Sequence, residues 1–300
     1  MKTSIDLLSA KFSIHGHIKF TSNREIIVVE ITHPYAKASV SLYGAHVISF
    51  QPKGQQDVLW MSDLSTFEKG KPIRGGIPVC FPWFGAHDSD AQKSIHGFAR
   101  LHLWDVVSTS ILPSGEIRLR MVLRDSPETK LLWPFSFKNL MTITVGKSLE
   151  VALTCTNTGK ETFTYSDALH TYFAVGDVEK VKLHGFNKCS YYDGMDNGTI
   201  KNQSEEWISI DRETNRRYFD YASDCIIEDP VLLRKIRIGK RGSQVTLVWN
   251  PWSETAKKIA DMHENGYKTM LCVEAVNANN DKITLLPNQS HTLSTILSVE

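Results

Sequence analysis

The sequence predicts an all-β protein, built as one large sandwich of antiparallel sheets, and three observations support this prediction. Apolar and polar residues alternate with a period of two in several segments, for example residues 116–124 and 149–156. Such alternation is typical of strands that bury one face and leave the other in water. Turn residues separate these segments at short intervals, as at 157–159, and only residues 253–263 have a clear helical pattern. Many strands with short turns and little helix favour sheets that pack face to face.

The individual elements follow from the same patterns, taken in chain order. Strands are predicted at 36–42, 116–124, 149–156, 168–175, 245–249, 269–276 and 293–297, with turns at 113–115, 157–159, 193–194, 197–198, 239–242 and 286–288. The helix at 253–263 begins at Ser253, which is suited to an N-cap, and Gly266 lies beyond its end. Because no linker, charge block or internal repeat divides the chain, we predict a single domain over residues 21–300. Residues 1–20 are expected to be a loosely ordered N-terminal segment.

Composition excludes several classes of protein. The 34 Lys and Arg against 33 Asp and Glu give a net charge of +1, without the basic field of a general nucleic-acid binder. No run approaches the roughly 18 apolar residues of a membrane span, and Asp6 interrupts the short apolar run that faintly resembles a signal peptide. The five cysteines are widely spaced, with no CxxC pair, which is typical of buried thiols in a reducing compartment. We therefore expect a cytoplasmic protein with no membrane or nucleic-acid partner.

Common cofactor and nucleophile motifs are absent from the sequence. Neither GxGxxG nor GxxxxGK[ST] occurs, and residues 239–243 are better explained as a hairpin turn. His15 and His17 lack a suitably spaced carboxylate, so they are interpreted as solvated side chains and not as metal ligands. No GxSxG nucleophile elbow is present. We expect no metal and no other cofactor.

Residues 73–85 form an irregular segment that could bind a ligand. Its two prolines lack backbone donors, so the segment cannot be an ordinary helix or central strand. Gly75 and Gly76 permit unusual dihedral angles and would let backbone amides approach a ligand. Arg74 supplies a cation beside them, and Trp83 supplies a flat apolar surface.

Residues 96–100 repeat this combination of a cation with a glycine and an aromatic residue. Arginine suits phosphate because its planar guanidinium makes two charge-assisted hydrogen bonds. The alternative is that Arg74 and Arg100 form structural ion pairs in a buried connection, and composition alone leaves both interpretations open.

Two predicted strands carry polar residues where apolar ones are expected. In 168–175, His170 and Tyr172 share one face, which suits the lining of a cleft. In 269–276, Glu274 is in phase with apolar residues, and a carboxylate there is costly unless paired, so its pKa is expected to be perturbed. Perturbed groups in clefts are candidates for function. A core histidine and a buried ion pair are the structural alternatives.

Six motifs together resemble the glucose-6-phosphate 1-epimerases, the hexose-6-phosphate mutarotases of the aldose 1-epimerase superfamily. They are Tyr43-Gly-Ala-His46, Asp57-Val-Leu-Trp60, Ile73-Arg-Gly-Gly-Ile-Pro-Val-Cys-Phe-Pro82, His96-Gly-Phe-Ala-Arg100, Leu169-His-Thr-Tyr-Phe173 and Cys272-Val-Glu274. Any one alone would be weak, but they occur in order from about residue 36 to the C-terminus.

The resemblance implies a galactose mutarotase-like β-supersandwich with a cofactor-free active site in the concave face of one sheet. It implies that His170 and Glu274 are the catalytic pair. The expected substrate-binding residues are Arg74, Arg100, His96, Trp83 and Asn215. Ile95 stands where a glutamine can contact ligand, and Asn215 stands where an aspartate often binds a sugar hydroxyl. These two departures bear on the choice of hexose.

The implied reaction interconverts the α and β anomers of a hexose 6-phosphate, with glucose 6-phosphate as the expected substrate. Ionised Glu274 would take the proton of the C1 hydroxyl while protonated His170 gives one to the ring oxygen. Two alternatives are a non-catalytic sugar-phosphate-binding protein on the same fold and a glycoside hydrolase or lyase. The first would not need the acid–base pair, and the second would usually need two carboxylates. We expect a monomer.

Overall fold

Strands dominate the computed structural model, which describes residues 4–300. The α-helices of that region are α1 (Ser4–Phe12), α2 (Pro127–Leu132) and α3 (Trp252–Ala256), and short 3-10 helices lie at Ala99–Leu101, Gly266–Thr269 and Asn279–Asp281. The strands are β1 (Ile18–Asn23), β2 (Ile26–His33), β3 (Ala36–Ser41), β4 (His46–Pro52), β5 (Val79–Cys80), β6 (Asp105–Ile111), β7 (Ile117–Arg124), β8 (Phe137–Val145), β9 (Leu149–Asn157), β10 (Phe163–Tyr165), β11 (Asp167–Leu169), β12 (Tyr172–Ala174), β13 (Lys182–His184), β14 (Ser190–Asp193), β15 (Thr199–Asn202), β16 (Trp207–Ile208), β17 (Thr214–Tyr218), β18 (Cys225–Asp229), β19 (Arg234–Arg241), β20 (Val245–Asn250), β21 (Met270–Asn277), β22 (Ile283–Leu285) and β23 (Ser290–Val299).

Two large antiparallel sheets form the sandwich. The nine-stranded sheet has the order β16-β13-β18-β19-β23-β9-β8-β7-β6. The eight-stranded sheet has the order β15-β14-β17-β20-β21-β11-β5, and β12 also pairs with β21. Strands β1–β4 make a smaller sheet, and β10 pairs with β22. One hydrophobic core contains residues of both large sheets, such as Leu153 and Val273. The predicted all-β antiparallel sandwich is confirmed.

The nine-stranded sheet follows the alternation that the sequence shows. In β8 and β9, every odd-numbered residue is buried and every even-numbered residue is partly exposed. Cross-strand pairing aligns buried side chains into rows, for example Met121, Met141, Leu153 and Leu293, all of them fully buried. These aligned rows are why the alternating pattern predicts β7 and β9 almost to the residue.

The predicted helix at 253–263 is shorter than expected. Helix α3 ends at Ala256, its N-cap is Pro251 and not Ser253, and the Trp252 amide donates to Asn250 Oδ1 at 2.9 Å. The chain continues in turns whose amides bond three residues back, as from Ile259 to Ala256 at 3.1 Å. These tighter turns bring Ile259 to the wall of the cavity described below, so tertiary contacts override the helical pattern.

Two other helices, α1 and α2, were not predicted. Residues 1–3 of the N-terminal segment 1–20 lie outside the described residues, and α1 begins at Ser4. Phe12 at the end of α1 is buried, and the Thr109 hydroxyl donates to its carbonyl at 2.7 Å. Helix α2 begins with a capping box between Ser126 and Thr129.

Two further expectations concern buried thiols and membrane-spanning segments. All five cysteines are free thiols, and all but the half-buried Cys189 are buried. Within residues 4–300, no helix has both the length and the apolar character needed to cross a membrane.

Candidate active site

One face of the eight-stranded sheet carries a patch of polar and aromatic side chains. Directly paired residues of antiparallel strands point to the same face, so the register places these side chains together. The two cross-strand rows are Arg217–Leu247–Glu274 and Asn215–Trp249–Cys272–Tyr172. Strand β21 is buried along its whole length, because both of its faces are covered.

His170 reaches this face from a break in the chain. The strand predicted over 168–175 is two strands, β11 and β12, separated by His170 and Thr171. At the break, the His170 amide donates to the Pro78 carbonyl at 3.0 Å, and the Thr171 amide donates back to the Leu169 carbonyl at 2.9 Å. The His170 imidazole stacks on the Tyr172 ring, with centroids 4.8 Å apart and planes within 9°.

A cavity of about 400 Å³ lies over these residues. Six of the seven predicted site residues line it: Arg74, His96, Arg100, His170, Asn215 and Glu274. The wall also contains Tyr172, which the sequence placed on a cleft-lining face without a role, and Arg217 and Trp249, which the prediction of the site did not include. Arg217 could have been found from its place on the same strand face as Asn215.

Trp83 is the predicted site residue that does not line this cavity. Its indole nitrogen donates to the Ser94 carbonyl at 2.9 Å, and its ring packs edge-on against His87 and Phe98. The neighbouring Phe84 lines the cavity instead. The sequence could not decide between the two aromatic residues, because adjacent side chains of an irregular loop have no fixed alternation.

His170 and Glu274 face each other inside the cavity. Their Nδ1 and Oε1 atoms lie 3.3 Å apart, without the alignment of a hydrogen bond. The Glu274 side chain is completely buried, and that of His170 is 9% exposed. The two groups are close enough to act on adjacent atoms of one ligand and to share one proton.

Burial acts against the ionised Glu274 and protonated His170 that we expected from the sequence. Burial raises the pKa of Glu274 well above its usual 4.5. Burial is also the main reason why the pKa of His170 lies well below its usual 6.5. The positive charges of Arg100 and Arg74 lower the pKa of His170 further. In both groups the direction of the shift favours the neutral form.

The two predicted arginines differ in how their charges are balanced. Arg74 donates from Nε to Asp261 Oδ1 and from Nη1 to the Tyr172 hydroxyl, both at 3.0 Å. Arg100 donates from Nη2 to the Ile95 carbonyl at 2.7 Å and, within residues 4–300, makes no ion pair. Of the two, Arg100 brings the uncompensated positive charge to the cavity.

The two glycines after Arg74 have a different role from the one predicted. A Cβ at Gly75 would lie 2.4 Å from the Trp60 carbonyl oxygen, and a Cβ at Gly76 would lie 2.3 Å from the Val47 carbonyl oxygen. Both residues have positive φ, and the Gly76 amide donates to the Trp60 carbonyl at 2.8 Å. These glycines therefore allow close packing of the protein's own backbone, not a ligand's approach. His46 Nε2 donates to the Gly75 carbonyl at 2.7 Å and helps to fix this segment.

His96 is held as a neutral hydrogen-bond donor. Its Nδ1 accepts from the Gly85 amide at 3.0 Å, which places the ring proton on Nε2. Burial, followed by the charges of Arg100 and Arg74, lowers the pKa of His96 to about 3. Its ring lies perpendicular to that of His170 at 5.4 Å between centroids.

Three residues at the centre of the site are of types that can hold a metal ion. The possible ligand atoms of His170, Cys272 and Glu274 all lie within 4.8 Å of one another. Burial raises the pKa of the Cys272 thiol well above its usual 9.0, and Glu274 raises it further. A metal ion would have to displace the proton of this thiol, which lowers the affinity of the donor set for a metal at neutral pH.

Comparison with known sequences identifies relatives over most of the chain. Residues 28–298 match the aldose 1-epimerase family. A protein of Escherichia coli (strain K12), provisionally named glucose-6-phosphate 1-epimerase, is 34% identical over 274 residues, which are 91% of this chain and 90% of that protein. A protein of Cenchrus ciliaris with the same provisional name is 32% identical over 260 residues, 84% of this chain and 78% of that protein.

Solved structures share the fold. A crystal structure from Salmonella typhimurium, provisionally described as a mutarotase, has a TM-score of 0.89 at 28% identity and covers 99% of both chains. Galactose 1-epimerase from Lactobacillus acidophilus NCFM has a TM-score of 0.73 at 13% identity, covers 96% of this chain and 99% of its own, and shows the common fold alone. The expected galactose mutarotase-like architecture is confirmed.

Proposed function

The chain belongs to the aldose 1-epimerase family, and from this premise we propose that it interconverts the α and β anomers of glucose 6-phosphate. The observation that carries the proposal is the buried pair of His170 and Glu274 beside two arginines in one cavity. The pair supplies the acid and the base that a hemiacetal needs, and the arginines supply a site for phosphate.

The two proton transfers open and close the sugar ring. Glu274 accepts the proton of the C1 hydroxyl, the electrons of that O–H bond form the C1 carbonyl, and the bond between C1 and the ring oxygen breaks. His170 gives its proton to the ring oxygen as that bond breaks. After rotation about the C1–C2 bond, His170 takes the proton back from the attacking hydroxyl, and Glu274 returns one to the oxygen on C1. Closure on the other carbonyl face gives the other anomer.

The phosphate of the substrate would also help to charge His170. In the free protein, the pKa shifts favour the neutral forms of His170 and Glu274. Ring opening ends with the same arrangement, because Glu274 has then gained a proton and His170 has lost one. Arg100 and Arg74 lower the pKa of His170 through their positive charge. A phosphate dianion bound to these arginines would offset that charge, so it would raise the pKa of His170 toward the protonated form that opening requires.

The remaining residues of the cavity would hold the sugar. We assign the phosphate to Arg100 and Arg74, and we assign sugar hydroxyls to the Nε2 proton of His96 and to the amide of Asn215. The Trp249 ring lies edge-on to both His170 and Tyr172 and would cover an apolar face of the sugar. The free thiols support a reducing compartment, so we place the reaction in the cytoplasm. Separately, we expect a monomer.

Anomer exchange tests the proposal directly. Freshly dissolved α-glucose 6-phosphate should reach its anomeric equilibrium much faster with the protein than without it, as followed by polarimetry. Release of a second product would instead indicate a hydrolase or lyase. Tight binding of the sugar phosphate without acceleration would indicate a binding protein, and either result would contradict the proposal.

A further inference from the structure

Arg217 is a third arginine in the wall of the cavity, and most of its hydrogen-bonding capacity is unused. Its Nη1 donates to Asn279 Oδ1 at 3.0 Å, and its buried Nε has no partner. Among the described residues 4–300, no carboxylate forms an ion pair with it. A guanidinium has five N–H donors, so Arg217 can still make a bidentate bond to an anion.

Arg217 and Arg100 lie on opposite sides of the catalytic pair. Arg217 is on β17, and Arg100 follows Gly97, which bridges to Phe81 immediately after β5. Three strands separate β17 from β5, so their backbones are roughly 19 Å apart at about 4.8 Å per strand. This separation is between strand backbones, and the two arginine side chains enter the cavity from opposite sides of β21.

Among residues 4–300, no carboxylate pairs with Arg217 on its side of the cavity. Asn215, the other cavity residue on β17, is neutral. A polar depression of about 730 Å³ adjoins the cavity, and Phe84 and Arg217 line both. The depression also contains Asn279 and the Lys282–Asp88 ion pair, whose Nζ and Oδ2 atoms lie 3.4 Å apart, and it has room for a group that extends beyond the sugar ring.

The position of Arg217 in the sheet indicates which end of the ligand it meets. Arg217 and Glu274 belong to the same cross-strand row, with Leu247 between them. In the proposed function, on which this step rests, Glu274 faces the anomeric hydroxyl and His170 faces the ring oxygen. Arg100 therefore lies beyond the ring oxygen, and Arg217 lies beyond the anomeric carbon.

We propose that Arg217 forms a second anion subsite, and that the cavity accepts sugar 6-phosphates whose second anionic group lies on the anomeric side of the ring. A ketohexose bisphosphate has this arrangement, since its second phosphate is on the carbon next to the anomeric carbon. The Arg217 guanidinium binds that second group, while Arg100 and Arg74 bind the 6-phosphate.

Calorimetric titration with fructose 6-phosphate and fructose 1,6-bisphosphate tests the subsite, because the two ligands differ by one phosphate. Wild type should bind the bisphosphate about 10- to 100-fold more tightly. Arg217→Gln should remove this advantage and leave the affinity for the monophosphate within about twofold. Arg217→Lys, which keeps the charge, should restore part of it.

Arg216→Gln is the matched control. Arg216 precedes Arg217 on the same strand but faces the other way, where it contacts Gln203 and the Tyr191 ring. This variant should keep the preference for the bisphosphate. Equal affinities of wild type for the two ligands, or a parallel loss of both in Arg217→Gln, would overturn the subsite. A preference for the bisphosphate in a protein that accelerates no anomer exchange would overturn the proposed function and leave the subsite standing.

Discussion

Strands of the two large sheets differ in where they place polar residues. In the nine-stranded sheet, β8 and β9 alternate strictly between buried residues and residues that reach water. In the eight-stranded sheet, β21 is buried at every position and still contains Glu274, whose carboxylate oxygens have no hydrogen-bond partner. Strands β8 and β9 follow the ordinary alternation, although β8 also buries Asn139 without a hydrogen-bond partner, whereas β21 departs from the alternation at the cavity.

The position of Glu274 distinguishes it from other buried polar groups without a hydrogen bond, such as Asp167 and Asn139, because Glu274 alone of these three lines the cavity. Its burial costs stability, and its place beside His170 supports the acid–base role that we propose. The same desolvation raises the pKa of Glu274 and lowers the pKa of His170. Proton transfer between such groups and a substrate is then possible near neutral pH.

The largest expected effect comes from the catalytic pair. Glu274→Gln and His170→Ala should each lower the rate of anomer exchange by at least about 100-fold, the usual scale for a positioned acid or base. Glu150→Gln, on β9 of the other sheet, is the control and should keep the wild-type rate, because Glu150 is partly exposed there and lies outside the cavity. Polarimetry on folded variants measures all three, and a rate within a few-fold of wild type would remove that residue from the mechanism.

The next effect concerns the selectivity for phosphorylated sugars. Arg100→Ala should lower kcat/KM for glucose 6-phosphate by about 10- to 150-fold and affect free glucose far less, because free glucose lacks the charged group. Arg74→Ala should have the smaller effect of the two, since Asp261 already balances the charge of Arg74. If glucose and glucose 6-phosphate lose kcat/KM in parallel, the arginines support the fold or the ring and not the phosphate.

A smaller effect concerns stability. Because the pKa of Glu274 is raised in the folded state, the folded protein binds more protons than the unfolded chain above pH 4.5, and stability falls as pH rises through that range. Glu274→Gln removes this loss, so it should raise the free energy of unfolding by roughly 0.5–2 kcal/mol at pH 7.5. The gain should shrink toward pH 4.5. Thermal denaturation at both pH values checks it, and a variant less stable than wild type at pH 7.5 would contradict it.

The smallest expected effect is that of metal removal. Dialysis against a chelator should change the rate of anomer exchange by less than about twofold, because the protonated Cys272 thiol makes the central donor set a poor metal site. If the chelator abolished activity and one added divalent metal restored it, catalysis at this site would depend on a metal ion.

Local patterns were enough to predict the regular sheet and part of the site. Alternation placed β7 and β9, and an acidic residue in phase with apolar ones drew attention to Glu274. The interruption at His170 could not be predicted, since the Pro78 carbonyl that fixes it comes from a distant segment, just before β5. The same holds for the early end of α3 and for the choice of Phe84 over Trp83, which depend on contacts between distant segments.

The sequence by itself determined the class of fold, the candidate acid–base residues and the resemblance to sugar-phosphate epimerases, because all of these follow from residue identity and spacing. The tertiary structure determined which charged side chains have a partner of opposite charge. Arg74 is balanced by Asp261, 187 residues further along the chain, whereas Arg100 and Arg217 make no ion pair within residues 4–300. Burial likewise shifts the pKa values of His170 and Glu274 in the direction that favours their neutral forms. Electrostatic energies depend on neighbours in space and on the exclusion of water, and a linear pattern contains neither.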